Sequence, residues 1–186
     1  MTVVTKELTP ALWPDMERLF GPNGACAGCW CMWWRLGPSE RISIASGPRM
    51  KRRQRTLVES GSSRGVLAFV DGKPVGWCAY APKIELPRLQ RSKALASDDA
   101  AEVWSIPCFF VKAGLRGCGV SRALLRHALR SIRAAGGRIA ETYPVRPPAT
   151  NAAAFTGTVA FMESEGFLTL TEHPRGRQRA RLSFGV

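Results

Sequence analysis

Six residues carry the sharpest chemical signal in this chain: Arg116-Gly117-Cys118-Gly119-Val120-Ser121. Before them comes VWSIPCFFV (103–111), a bulky apolar run suited to a buried strand. After them, residues 121–135 place Leu124, Leu125, Ala128, Leu129 and Ile132 on one helical stripe and Arg122, Arg126, Arg130 and Arg133 on the opposite face. Glycines in such a turn let successive backbone N–H groups point outward, and the helix start adds the positive end of its dipole. Together they form a nest for a phosphate or pyrophosphate. A second cluster is Cys26, Cys29 and Cys31 with Trp30, Trp33 and Trp34. Three chemistries are open to it. Zinc would find three thiolates but no obvious fourth ligand, so no metal site is assigned. A redox or nucleophilic cysteine needs a lowered pKa and a basic neighbour. Local packing as small hydrophobes needs neither.

The elements that must position these groups read in one order. VVTKEL (3–8) suits a short strand, and Leu12, Met16, Leu19 and Phe20 give residues 11–20 a helical stripe. Glycine and proline break residues 21–40 into an irregular loop, and residues 48–60 read as a strongly basic helix ending at Gly61. VLAFV (66–70) and PVGWCAYA (74–81) flank Asp71-Gly72-Lys73 as a hairpin. Residues 82–100, with Pro82, Pro87 and scattered charges, are expected to be an exposed connection. Pro107 cannot donate to a ladder, so the strand 103–111 should bulge or leave a neighbour there. RIAETYPV (138–145) reads as a strand halted by Pro144; a loop with Pro147 and Pro148 leads to a helix at about 156–165, stopped by Gly166. FLTLTE (167–172) and RARLSF (179–184) close the chain as two strands. The order β-α-α-β-β-β-α-β-α-β-β implies an α/β (α+β) domain over residues 1–186, a mixed sheet flanked by helices.

The segment 111–121 resembles the central motif of the GNAT (GCN5-related) N-acetyltransferases, Arg/Gln-x-x-Gly-x-Gly/Ala, with Arg116, Gly119 and Ser121 in the key places and Val111 ending the strand five residues earlier. The hairpin VLAFVDGKPVGWCAYAP and the stretch FMESEGF are similar to further parts of that family, in the same order, over residues 64–172. The resemblance implies the GNAT fold, with about seven strands, about four helices, and splayed fourth and fifth strands. It implies acetyl-CoA with its pyrophosphate on the amides of Arg116, Gly117, Cys118, Gly119, Val120 and Ser121, and its pantetheine arm beside Phe109, Phe110 and Val111. It further implies an acceptor pocket lined by the loop between the first two helices, where Trp30, Trp33 and Trp34 would wall an apolar amine or hold a cationic one. The chain departs from the family where chemistry is concerned. Met162 stands where a tyrosine commonly protonates the leaving thiolate, Phe155 where an asparagine is frequent, and Ser105 where a glutamate base sometimes sits. Glu141 and Tyr143, which share a strand face by alternation, are the remaining candidates for proton transfer.

Composition sets outer limits. The chain has 186 residues, six cysteines, a formal charge of +13 and a pI near 10.4. Length and cysteine spacing give no disulfide framework, no apolar run is long enough to span a bilayer, and the first residues do not resemble a signal peptide. A cytoplasmic protein with reduced thiols and no membrane partner is expected. Positive charge falls on Arg49, Lys51, Arg52, Arg53 and Arg55 and on the tail Arg175, Arg177, Arg179 and Arg181. Without interleaved aromatics these read as solvated faces rather than a nucleic-acid platform. His127, beside arginines on its helix, is expected at the surface, and His173 has no visible partner. The expected function is acetyl-CoA-dependent N-acetylation of a small-molecule or peptide amine, by direct transfer in a ternary complex, with a homodimer compatible. The alternatives are a non-catalytic acyl-CoA sensor and a nucleic-acid-associated basic protein.

Overall fold

The computed structural model describes residues 1–43, 46–147, 153–171 and 176–185; Pro148, Glu172, His173 and Arg175 lie outside them. Seven strands are β1 (Val4–Glu7), β2 (Arg64–Val70), β3 (Lys73–Pro82), β4 (Val103–Val111), β5 (Ile139–Thr142), β6 (Leu168–Thr169) and β7 (Ala180–Ser183). They form one mixed sheet in the order β1-β2-β3-β4-β5-β7-β6. Helices α1 (Trp13–Phe20), α2 (Gly47–Glu59), α3 (Pro87–Gln90), α4 (Val120–Ala134) and α5 (Val159–Ser164) join them. The β4–β5 pair is parallel, while the other pairs are antiparallel.

Both faces of the sheet are covered, so β2 is buried almost throughout instead of every second residue. Val66 and Ala68 pack with Leu124, Leu125 and Ile132 of α4. Leu67 and Phe69 pack on the other face with Trp13, Met16 and Met50. Gly76 brings α4 close: a Cβ there would stand 2.8 Å from Val120 Cγ1 and 3.0 Å from Leu124 Cδ1. That approach fixes where α4 begins relative to the end of β4.

Pro107 acts as expected, and on both sides. Toward β3 the register shifts between Ala79 and Ala81. Toward β5 the pairing runs from Val103–Ile139 to Ile106–Thr142 and goes no further. Past that point the two strands part, and Val145 makes only isolated bridges, to Thr158 and Arg177.

Three expectations are corrected. Residues 82–100 are not an exposed connection, because Leu86, Leu89 and Leu95 are buried with Trp34 and Tyr143 in a separate apolar cluster. Their spacing is too irregular to show against the surrounding charges, and α3 with its flanking turns is the fifth helix the sequence pattern did not give. His127 is half-buried, with Nδ1 2.8 Å from Thr5 Oγ1 and Nε2 3.3 Å from Glu7, so it joins α4 to β1. The basic tail is no solvated face either: Arg179 and Arg181 turn inward to Glu141. On α2, by contrast, Lys51, Arg53 and Arg55 form partly exposed pairs with Glu17, Glu40 and Glu59.

Candidate active site

The turn from β4 to α4 exposes donors. After a 3-10 turn at Ala113–Leu115, Gly117 and Gly119 adopt φ of +77° and +81°, a region glycine enters at little cost. Gly119 is the N-cap of α4, and no side chain caps the helix. A Cβ on either glycine would meet nothing within 4 Å, so the backbone there faces open space. Arg116 Nε donates to Val111 O at 3.3 Å, folding the loop against the strand end. Cys118 is exposed and Ser121 half-buried, whereas the Val120 side chain belongs to the core and only its N–H is available to a ligand. Beside this loop, among the described residues, no strand pairs with the β5-facing edge of β4 past Ile106.

That free edge leads to a chamber of about 250 Å³ lined by Phe109, Phe110, Trp33, Trp34, Phe155 and the cysteines Cys29, Cys31 and Cys108, among others. Trp34 Nε1 donates to Pro107 O at 2.9 Å, tying the cysteine loop to the point where the strands separate. Trp77 Nε1 donates to Cys31 Sγ at 3.0 Å. The loop holds its shape at a cost: Ala25, Ala27, Trp30 and Cys31 all have positive φ without being glycine. Backbone strain of this kind gathers where a site must be held in one geometry.

The three tryptophans separate. Trp33 and Trp34 border the chamber. Trp30 does not: it is buried, stacked on Trp13 at 5.8 Å and packed against Phe20 at 5.4 Å. Its place in the acceptor wall is corrected to the core, because φ of +46° turns it toward α1. Alanine at Trp30 should therefore cost about 3–5 kcal/mol of stability, the range for a buried aromatic, measured by urea unfolding.

The thiols separate as well. Among the described residues no group of three or more His, Cys, Asp or Glu could hold a metal ion. Cys31 is held below the usual thiol range, mainly by a hydrogen bond from the Cys108 thiol, against burial and with help from Trp77 and Arg35. Cys108 rises well above that range through the same bond and burial, and burial pushes Cys29 up to about 12. The lowered pKa and basic neighbour asked of a nucleophilic cysteine are thus met at Cys31. Iodoacetamide at neutral pH should label Cys31 at least about tenfold faster than Cys29 or Cys108, as peptide mass spectrometry will read. Equal rates would refute that ordering. Cys108 was missed by spacing in sequence, although alternation could have found it: Trp77 lies opposite Phe110 and Ala79 opposite Cys108, which sets these residues on one sheet face.

Glu141 and Tyr143 are not brought to this chamber. Glu141 is fully buried and bound by Lys83 at 2.6 Å, Arg179 at 3.1 Å and Arg181 at 2.6 Å. Burial alone would raise its pKa, but the bonds from Lys83 and Arg181 outweigh it and the net shift is downward. A carboxylate already compensated by three cations is a poor proton acceptor, so the expected base is corrected to a structural anion. The Tyr143 hydroxyl is 2.6 Å from Ser105 Oγ, and burial lifts its pKa well above the usual value. Its ring lies 5.9 Å from that of Trp34, which lines the chamber. Met162 is buried in the α4-side core.

Comparison with known proteins agrees with this fold. A sequence model of the acetyltransferase (GNAT) family matches residues 28–160. No curated protein sequence matches the chain. Among solved structures, a GCN5-related N-acetyltransferase from Kribbella flavida is 21% identical with a TM-score of 0.58, covering 98% of each chain. An N-acetyltransferase from Staphylococcus aureus Mu50 is 10% identical with a TM-score of 0.59, covering 98% of this chain and 99% of its own. The PaiA N-acetyltransferase from Thermoplasma acidophilum, solved in complex with coenzyme A, is 12% identical with a TM-score of 0.55, covering 99% of this chain and all of its own.

Proposed function

The chain belongs to the acetyltransferase (GNAT) family, and from that premise we propose that it transfers acetyl from acetyl-CoA to an amine of a small molecule or exposed peptide, directly, with both substrates bound. One observation carries this reading: the uncapped glycine loop and the thiol–aromatic chamber lie at the two ends of the same free edge of β4. The amides of residues 117–121 fit a pyrophosphate, since the Cβ directions of Gly117 and Gly119 are open and the dipole of α4 favours an anion, whereas the Arg116 amide is taken by Ala113 O at 3.3 Å. The β5-facing edge of the main chain at Phe109–Val111, unpaired among the described residues although the other edge bonds β3, supports an extended amide-bearing arm. Acetyl-CoA supplies the acetyl group as a thioester when bound.

What remains is done by the chain's own residues. The chamber lining is aromatic and rich in cysteine and, among the described residues, contains no carboxylate. Such a wall excludes water and penalises an ammonium ion, so it favours the neutral amine that attack requires. It also disfavours polycationic acceptors, which need acidic partners. A thiol-release assay with acetyl-CoA over a panel of apolar amines, polyamines and peptides tests the reading; bound acetyl-CoA with no turnover of any amine would favour the sensor instead. Intersecting initial-velocity lines are expected from direct transfer, and parallel lines would point to an acetylated cysteine, for which Cys31 is the candidate. Trp33→Ala should raise the acceptor KM about tenfold, the worth of one aromatic contact, and leave the acetyl-CoA KM unchanged.

A further inference from the structure

Beside the chamber, and sharing Trp33, Trp34 and Phe155 with it, lies a second cavity of about 480 Å³ whose wall adds Arg88, Arg91 and Arg177. These guanidinium groups differ from most of the others. Arg35, Arg53, Arg64, Arg122, Arg179 and Arg181 each meet a carboxylate at 3.2 Å or less. The three in the cavity are bound by backbone carbonyls: Arg88 by Glu40 O at 3.4 Å, Arg91 by Leu36 O at 3.0 Å and Arg177 by Ala153 O at 3.1 Å. Two of their donors, Arg88 Nη1 and Arg177 Nε, are buried with no partner among the described residues. A buried charged donor left unbonded is costly, so its retention points to a ligand.

The aromatic rings hold these groups in place. Arg88 lies over Trp33 at 3.8 Å and Arg177 over Phe155 at 4.5 Å. Stacking occupies the faces of a guanidinium and leaves its edge free to bond an anion. The Phe155 ring on which Arg177 stacks also lines the chamber, which places this cation beside it. Three cations, no carboxylate among the described residues of the wall and two unbonded buried donors describe a subsite for an anion.

We propose that the amine acceptor carries a carboxylate, in the manner of an aromatic amino acid, with its apolar body in the thiol–aromatic chamber and its carboxylate on Arg88 and Arg177. Two vacant donors match two carboxylate oxygens, and Arg is the side chain whose fork suits that group. This rests on the reading of the chain as an acetyltransferase for the identity of the ligand, but not for the existence of the anion subsite.

The test therefore has a binding arm and a turnover arm. In the first, 3-phenylpropionate, which has no amine, is titrated against the protein by tryptophan fluorescence. It should bind, 3-phenylpropanol should bind at least about tenfold more weakly, and Arg177→Gln should erase most of that difference, as loss of a charge-assisted bond predicts. In the second, the kcat/KM for phenylalanine with acetyl-CoA should exceed that for phenethylamine by at least about tenfold, and Arg177→Gln should bring the two within about threefold. Arg88→Gln, on a different element, provides the same readings if the first variant fails to fold. Equal binding of acid and alcohol would overturn the proposal, as would an acid preference that survives both substitutions. Tighter arginine-dependent binding of phenethyl phosphate than of 3-phenylpropionate would overturn the carboxylate assignment. Arginine-dependent binding of the acid without turnover of any amine would leave the subsite standing and sink the acetyltransferase reading instead.

Discussion

Gly119→Asp is expected to weaken acetyl-CoA binding by at least about 100-fold, with Gly119→Ala weakening it far less. The contrast separates three effects. Space is not the issue, since a Cβ at Gly119 meets nothing within 4 Å. Strain is present in both variants, because φ at this position is +81° and a non-glycine residue there costs about 1–2 kcal/mol. Charge distinguishes them. An aspartate at the N-cap is well placed to accept from the uncapped first-turn amides of α4, and so would occupy the donors a pyrophosphate needs while repelling it. A loss of about 2.7 kcal/mol, which is 100-fold, needs only one or two such donors withdrawn together with like-charge repulsion. Because the same carboxylate caps the helix, the aspartate variant should unfold at nearly the same temperature as the parent. Calorimetric titration with acetyl-CoA reads the affinity. Unchanged binding by the folded aspartate variant would remove the loop at 116–121 from the cofactor site.

This loop was also the most legible part of the sequence. Its signal is local: glycines, an apolar strand before them and an amphipathic helix after them lie within about thirty residues and need no tertiary context. Pro107 was legible for the same reason, since a missing donor disrupts a ladder wherever the strand is placed. The interior of the site was not. Cys108 lies 77 positions from Cys31, and only the β3–β4 register sets it beside the cysteine loop. Trp30, Trp33 and Trp34 look alike in sequence, yet a single positive φ turns the first into the core. Lys83 offers the plainest case. In the sequence it is one charge in a polar connection, while in the fold it is fully buried on Glu141. A charge pattern cannot reveal a buried pair whose partners are 58 residues apart. Arg177 is the opposite error: it reads as one of a solvated run, and its neighbours do find carboxylates, but it bonds the Ala153 carbonyl and leaves Nε without a partner among the described residues at the cavity wall.

Glu141→Gln is expected to destabilise the protein by about 3–5 kcal/mol, the cost of breaking a buried ion pair by removing one partner. For a domain of this size that lowers Tm by about 10 °C or more. The reason lies in what remains: Lys83 is fully buried beside Arg179 and Arg181, burial already lowers its pKa, and without Glu141 it would stand uncompensated or give up its proton, either at a cost. Lys83→Met should cost less, because Glu141 keeps both arginines, although Leu95 O and Ser97 Oγ lose their donor. The pH dependence has a fixed sign. The Glu141 pKa is lowered in the folded state, so its contribution is complete above the unfolded carboxylate range and disappears as pH falls through the folded value. Asp99 is lowered too, chiefly by its bond with Arg181, and acts in the same direction. The parent should therefore lose stability steadily below about pH 4.5, where unfolded carboxylates begin to bind protons, and Glu141→Gln should show a shallower acid limb. Thermal unfolding from pH 3 to pH 8 measures both. An equally steep acid limb in the variant would mean that Glu141 does not couple the β5–β7 side of the sheet to residues 83–99. The same substitution is a control on mechanism. If Glu141 is a structural anion and no base, kcat of the folded variant well below its Tm should stay within about threefold of the parent, since removing a general base typically costs 100-fold or more.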